Sequence, residues 1–217
     1  MSRYPMTVLR YGFALILTLT LAACASVPKA PLPDGLTNQP PADWAQRSAQ
    51  LTQLTRWELQ GKLAVKQPDD SGSAIINQWQ QVDEQYHLLL SSAFLGVGRT
   101  ELEGMPGYLS LTMPDGKNYR SNDPQQLIQA ATGWHFPLES LTWWIRGLPA
   151  PGDDFELLFD RGGELAAIRQ QGWDIRIDRR QSFIDGYPAL PARITALKGE
   201  RRIRLVITQW QALGTSS

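Results

Sequence analysis

The sequence predicts one mainly β domain, in which a curved antiparallel sheet of about eleven strands forms an incomplete barrel covered by about three helices. Many short segments alternate apolar and polar residues, and turn sequences separate them, which is typical of antiparallel strands. Only three stretches repeat apolar residues with helical spacing. Three helices are too few for a parallel α/β sheet, so we expect them to cover the concave side of an antiparallel one.

The first elements follow a proline-rich stretch. A helix is expected to begin near Asp43 and to continue through Leu54, because its apolar spacing suits a helix that lies on a sheet. Residues 57–65 then alternate as a half-buried strand, with Ala64 as the exception. Ten more strands are expected at residues 73–82, 85–91, 99–103, 107–113, 117–121, 155–159, 164–170, 173–179, 192–198 and 201–210.

Two further helices interrupt the strands. Asp123 stands before Pro124, the pattern of a capped helix start with proline at the first position, and Gly133 marks the end of that helix. Pro137 opens a second helix over residues 138–146, which ends at Gly147.

The N-terminus has the parts of a secretory signal peptide, which we assign to residues 1–23. Arg3 and Arg10 precede an apolar run over residues 11–21, and small residues follow it. This run is too short to span a bilayer, which needs about 20 apolar residues. The residues Leu21-Ala22-Ala23-Cys24 resemble a bacterial lipobox, in which the cysteine is lipidated and becomes the new N-terminus. The alternative is an ordinary secretory signal followed by a chance cysteine.

The rest of the chain divides into three parts. Residues 24–42 are rich in proline and predict a lipidated N-terminus with an extended linker. Residues 43–213 form one domain, and residues 214–217 form a short tail. An alanine, rather than an aspartate, follows Cys24, which favours an anchor on the periplasmic face of the outer membrane. After removal of the signal peptide 19 basic and 21 acidic residues remain, a balance that argues against a nucleic-acid partner.

No catalytic or metal-binding pattern is present in the sequence. The two histidines, His87 and His135, do not have metal-ligand spacing, and no serine lies in a GxSxG motif. Neighbouring aspartates fall in turns, where their side chains bond the backbone. We therefore predict that the protein is not an enzyme, and that it has no cofactor, catalytic residue or metal site.

Two apolar features remain. The segment joining two strands contains Phe94, Leu95 and Val97 where a polar turn is expected, and an exposed apolar loop marks a membrane or partner contact. The alternative is that this loop folds back and is buried. The second feature is the aromatic stretch from Trp134 to Ile145, which either fills the core or lines a cavity for apolar ligands. The residues predicted to line such a cavity are Trp57, Leu59, Leu63, Trp79, Leu88, Leu90, Leu109, Leu111, Leu141, Trp144 and Ile145.

Several motifs resemble those of the LolB family, the outer-membrane receptors that accept lipoproteins from the periplasmic carrier LolA. They occur in the family's order over nearly the whole mature chain. The matching residues are the lipobox ending at Cys24, Gln60-Gly61-Lys62-Leu63-Ala64, Trp79-Gln80-Gln81, Phe94-Leu95-Gly96 leading into Thr100-Glu101-Leu102, Thr132-Gly133-Trp134, Pro137-Leu138 with Leu141, Trp144 and Gly147-Leu148-Pro149, Gly172-Trp173, and Leu190-Pro191 through Arg202-Ile203-Arg204-Leu205 to Trp210.

The resemblance implies an incomplete barrel with an apolar cavity that receives acyl chains. It implies three partners, namely a LolA-like carrier, acylated lipoprotein cargo and the outer membrane, and we expect a monomer. In the family an apolar side chain protrudes from the loop that contains Leu95 and helps insert cargo into the membrane. We expect Leu95 to form the tip. Phe94 stands where the family usually has proline, and the alternative is that Phe94 shares or takes that role. A passive lipoprotein that scaffolds an envelope assembly is the alternative function, whereas a lipid-modifying enzyme would need a polar catalytic cluster.

Overall fold

An open antiparallel sheet of eleven strands forms the body of the protein in the computed structural model, which describes residues 34–91 and 98–214. The strands lie in the order β6-β5-β4-β3-β2-β1-β11-β10-β9-β8-β7, so the first strand pairs with the last at the centre of the sheet. Their bounds are β1 Arg56–Lys66, β2 Ser71–Val82, β3 Gln85–Ser91, β4 Arg99–Met105, β5 Tyr108–Thr112, β6 Asn118–Ser121, β7 Phe155–Phe159, β8 Leu165–Gln170, β9 Trp173–Gln181, β10 Leu190–Lys198 and β11 Arg201–Ala212. The predicted fold class is confirmed.

Three helices accompany this sheet in the described residues: α1 Trp44–Gln53, α2 Pro124–Thr132 and α3 Leu138–Trp144. The start of α2 is the predicted one, because the Asp123 carboxylate accepts a hydrogen bond of 3.0 Å from the Gln126 N–H. Gly133 ends α2 in the left-handed conformation, with φ of 73°. Within the described part of the chain, no helix combines the length and apolar character needed to cross a membrane.

Gly61 lies at an irregularity at the centre of the sheet. The pairing of β1 shifts register at this residue on both sides, toward β2 and toward β11. A Cβ atom on Gly61 would lie 2.3 Å from the Val206 carbonyl oxygen, so only glycine lets the β11 backbone approach this closely. Such bulges bend a strand and increase its twist, and this one therefore helps to curve the sheet.

The core lies on the concave side of the sheet. The inward residues of β1, from Trp57 to Val65 at alternate positions, are buried, while the residues between them are exposed or half-buried. Helix α3 lies deep in this core, because Leu141, Trp144 and Ile145 are each 0% exposed.

Every described element belongs to one compact unit, which begins at Asp34. Part of the stretch expected to be a linker lies in this unit. Thr37 pairs with the edge strand β7 through two backbone hydrogen bonds to Phe159, of 2.9 and 2.8 Å. Trp44 then packs edge-on against the Phe159 ring, with the ring centroids 5.1 Å apart.

Candidate functional site: an apolar cavity beneath helix α2

A small cavity with an apolar wall lies between the concave face of the sheet and α2. The sheet contributes residues from β1 to β5 and from β11, and the opposite wall comes from α2 and the segment after it. Its free volume is about 30 Å³. The lining residues are Leu63, Ile76, Trp79, Leu88, Leu90, Thr100, Leu102, Leu111, Ile128, Thr132, Trp134, Phe136 and Leu205.

All eleven residues predicted to line a cavity are buried, but they occupy two places. Leu63, Trp79, Leu88, Leu90 and Leu111 lie on the cavity wall. The others are packed in the core outside this wall: Trp57, Leu59, Leu109, Leu141, Trp144 and Ile145. That these residues bind acyl chains stays a prediction.

The sequence did not identify the opposite wall of the cavity. Ile128 and Thr132 lie on α2, and Phe136 follows it, but their pattern is that of any short amphipathic helix on a sheet. Trp134 belongs to the aromatic stretch, and it lines the cavity. Which strands α2 covers depends on packing between distant parts of the chain, and no local signal in the sequence specifies it.

The structure also settles which leucines of β3 point inward. Leu88 and Leu90 are 2% and 5% exposed and face the cavity, whereas Leu89 between them lies on the outer face and is half-buried. Leu90 pairs directly with Thr100 on β4. These two cavity-lining strands are joined by the segment that carries Phe94, Leu95 and Val97. Those three residues and Cys24 lie outside the described residues.

Tryptophan rings pack against one another beside the cavity. The Trp57 ring lies between two others, with its centroid 5.8 Å from that of Trp79 and 4.8 Å from that of Trp210. Trp79 belongs to the cavity wall, and Trp57 stands behind it. Paired aromatic rings of this kind are rigid and bury a large apolar area, so this part of the wall is preorganised.

Buried hydrogen bonds hold α3 against the sheet. The Gln170 carboxamide oxygen accepts from Trp144 Nε1 at 2.9 Å and from the Ala150 N–H at 2.8 Å. Its amide nitrogen donates to the Ala150 carbonyl at 2.7 Å. Trp143, the neighbour of Trp144, points elsewhere, and the Arg146 guanidinium lies 4.4 Å from its ring centroid.

Arg146 ties α3 to the end of α1. It donates to the carbonyls of Thr142 and Leu54, in each case at 3.0 Å. Burial lowers the pKa of Arg146 to about 10, so its side chain is still charged at neutral pH. A buried charge without hydrogen bonds would be costly, and these two carbonyls supply them.

Neither of the two histidines lines the cavity. His87 is on the outer face of β3, where its Nε2 atom is 2.6 Å from a Glu101 oxygen and 3.8 Å from a Glu103 oxygen. Within the described ranges, these three side chains come close enough to one another to share a metal ion. His135 lies near the Gln125 amide, and burial together with the charges of Arg201 and Lys198 lowers its pKa.

The open curved sheet with its accompanying helices defines a fold class that also occurs in a solved structure. That structure is described as a putative outer membrane lipoprotein-sorting protein domain from Vibrio parahaemolyticus. It matches with a TM-score of 0.52 and 8% sequence identity, over 80% of this chain and 92% of the other. At this identity the likeness concerns the fold alone.

Sequence comparison identifies the family. The family model described as Outer membrane lipoprotein LolB matches residues 55–210. The Outer-membrane lipoprotein LolB of Marinobacter nauticus is 58% identical over 200 residues, which is 92% of this chain and 96% of that protein. Its namesake in Chromohalobacter salexigens is 37% identical over 204 residues, which is 94% of this chain and 91% of that protein. The chain therefore belongs to the LolB family.

Membership confirms several of the predictions. The family consists of lipoprotein-trafficking receptors and not of enzymes. The protein is accordingly a lipid-anchored outer-membrane lipoprotein with a receptor role in lipoprotein localisation. Family membership implies interaction with a LolA-like carrier and with lipoprotein cargo.

Proposed function

We propose that this protein accepts a lipoprotein by enclosing its acyl chains in the apolar cavity between the sheet and α2, and then releases them into the outer membrane. The observation that carries this proposal is the composition of the cavity wall. Eleven of its thirteen lining residues are hydrophobic, and the other two are Thr100 and Thr132. Such a wall suits a hydrocarbon chain and offers no charged group for catalysis.

The cavity must widen before an acyl chain can enter. Its volume of about 30 Å³ is roughly a tenth of the smallest typical ligand pocket. Helix α2 is the element best suited to move, because it buries only Pro124 and Ile128, whereas α3 buries five residues. Cargo binding would therefore lift α2 from β5 and β6 while α3 stays in place.

Transfer of this kind needs no chemical energy. Each methylene of an acyl chain costs about 0.8 kcal/mol when it is exposed to water, so the chains must pass directly from one cavity to another. A preference of only about 1.4 kcal/mol for the acceptor over the carrier gives a tenfold bias. Contact between the openings of the two cavities would then suffice for transfer, without a nucleotide.

The N-terminus and the apolar loop complete the proposal. Signal peptide residues 1–23 are removed, Cys24 is lipidated, and residues 24–42 connect the anchor to the domain at 43–213. Leu95, or Phe94 beside it, contacts the membrane when cargo leaves the cavity. The receptor acts as a monomer.

Uptake of a fluorescent fatty-acid probe tests the cavity directly. We expect the wild-type protein to bind the probe, and Leu90→Trp to bind it more weakly, because the larger ring fills the space. Leu89→Trp is the matched control, since this neighbouring side chain lies on the outer face. Overpacking a core costs about 1–3 kcal/mol, so thermal unfolding should establish that both variants are folded.

The small volume also supports a second candidate function, a passive lipoprotein that scaffolds an envelope assembly. Its core would stay closed and would take up no ligand. An absence of probe binding by the folded wild-type protein, or equal binding by both tryptophan variants, would favour the scaffold and contradict the cavity proposal.

A further inference from the structure

A row of cations covers the solvent face of the sheet at its centre. They lie on β1, β9, β10 and β11, on the side opposite the cavity, and each is exposed or half-buried. We call this surface the basic band and define it by Lys62, Lys66, Arg176, Arg193, Arg202 and Arg204. The near-zero formal charge of the whole chain does not reveal this concentration of positive charge.

Little of this charge is neutralised by the protein itself. Arg176 lies 3.4 Å from Asp174 on the same strand. Asp178, the other acid on this face of β9, accepts a hydrogen bond of 2.6 Å from Thr195. Among the described residues, the other five cations of the band have no carboxylate within ion-pair distance.

Two pairs of cations face each other directly across neighbouring strands. Lys66 is the register partner of Arg202 between β1 and β11. Arg193 is likewise opposite Arg179, between β10 and β9. Like charges directly opposite in a sheet are destabilising. An anionic partner on this face would relieve the repulsion.

An exposed apolar residue borders the band. Ile75 on β2 is directly opposite Lys62 and is 52% exposed. Cations beside an exposed aliphatic side chain are suited to an anionic lipid surface, where the charges meet headgroups and the apolar group enters the interface. The side chains between these cations on the same face include Ala64, Thr195 and Val206 and none of Trp, Tyr or Phe, the residues that usually anchor a protein partner.

We propose that the basic band is a contact surface for anionic phospholipid, which holds the sheet against the membrane independently of the lipid anchor and of the Leu95 loop. The protein is an outer-membrane lipoprotein, so its anchor keeps the sheet at a high local concentration near the lipid surface. A carrier that delivers acyl chains to the cavity must dock on the other side of the sheet, and the band stays free for the membrane.

Vesicle co-sedimentation tests the proposal. The protein would be the unlipidated mature chain with Cys24→Ser, which retains the whole compact unit that contains the sheet and core. We expect it to bind vesicles that contain phosphatidylglycerol, to release them as salt rises, and to ignore vesicles of phosphatidylcholine alone. Lys62→Glu/Arg204→Glu should weaken binding about tenfold or more, because four units of charge are changed.

Two further variants give the experiment its controls. Lys66→Glu/Arg202→Glu should have the same effect, and it serves if the first pair fails to fold. Arg120→Glu/Arg161→Glu makes an equal charge change outside the band and should bind normally. Undiminished binding by both band variants would overturn the proposal. If those variants also fail to accept cargo from the carrier, the band is a protein-docking surface instead.

Discussion

Gln170 is a buried polar side chain that joins α3, the loop before β7 and strand β8. Its carboxamide satisfies the Trp144 indole N–H and both backbone groups of Ala150. Gln170→Ala would leave these three groups buried without partners. Each buried unsatisfied group costs about 1–3 kcal/mol, and partial relaxation is expected, so we predict a loss of roughly 2–4 kcal/mol in the free energy of unfolding.

Urea denaturation of the two purified proteins measures this loss. Gln209→Ala is the matched control, because Gln209 is an exposed glutamine of the long strand β11, where it pairs with Gln60. We expect a change within about 0.5 kcal/mol for this control. Equal destabilisation by the two substitutions would show that Gln170 does not hold the helix in place.

Single residues could be predicted from the sequence where their signal is local. Asp123 before Pro124 specifies a helix start through contacts within one turn, and Gly133 specifies its end. The role of Gln170 could not be predicted, because its partners are 20 and 26 residues away. A glutamine at the end of an alternating strand looks like a solvent-facing residue until the fold places a helix over it.

At the scale of the strand, Gly61 is the residue that lets β1 bend between its two neighbours. Gly61→Ala would bring a methyl group to 2.3 Å from the Val206 carbonyl oxygen, which is part of the β11 backbone. The strands must then separate or the bulge must shift. We predict a loss of about 1–3 kcal/mol in the free energy of unfolding, which is the usual range for overpacking.

Thermal and urea unfolding would measure this effect against Gly214→Ala. Gly214 has open space around the position of a Cβ atom, so alanine should be tolerated there. If Gly61→Ala were as stable as this control, close approach of β11 could not be the reason for the glycine.

The elements themselves were largely predictable, because alternation, turns and caps are short-range patterns. The eleven strands follow from these patterns, and so does their antiparallel arrangement.

The cavity wall was only partly predictable. Alternation indicates which residues point inward, as for Leu63, but the curvature of the sheet and the position of α2 decide whether an inward residue meets the helix or empty space. The run Leu88-Leu89-Leu90 has no alternation at all, so only the register of β3 against β4 orients it.

At the level of the whole molecule, we propose that acceptance of cargo and its release use different parts of the protein. In the proposed function, acceptance depends on the cavity, and release depends on the loop that joins β3 and β4. Leu95→Glu should therefore leave folding and cargo acceptance intact but slow the insertion of cargo into membranes, because a charged loop tip is costly to bury in lipid. Insertion into vesicles from the loaded receptor measures this step.

Gln85→Glu adds the same charge at an exposed end of β3 and should insert cargo at the normal rate. A Leu95→Glu protein that inserts cargo as fast as this control would show that the loop assignment is wrong. Phe94→Glu in the same assay would show which of the two residues forms the tip.

The transfer of cargo is the most direct test of the central claim. The mature chain with Cys24→Ser would be mixed, without ATP, with a LolA-like carrier preloaded with an acylated lipoprotein, and co-purification would show which protein holds the cargo. We expect the cargo to move to this protein, and we expect Leu90→Trp but not Leu89→Trp to reduce the movement. Cargo that stays on the carrier, although the receptor is folded, would refute the proposed function and favour a scaffold.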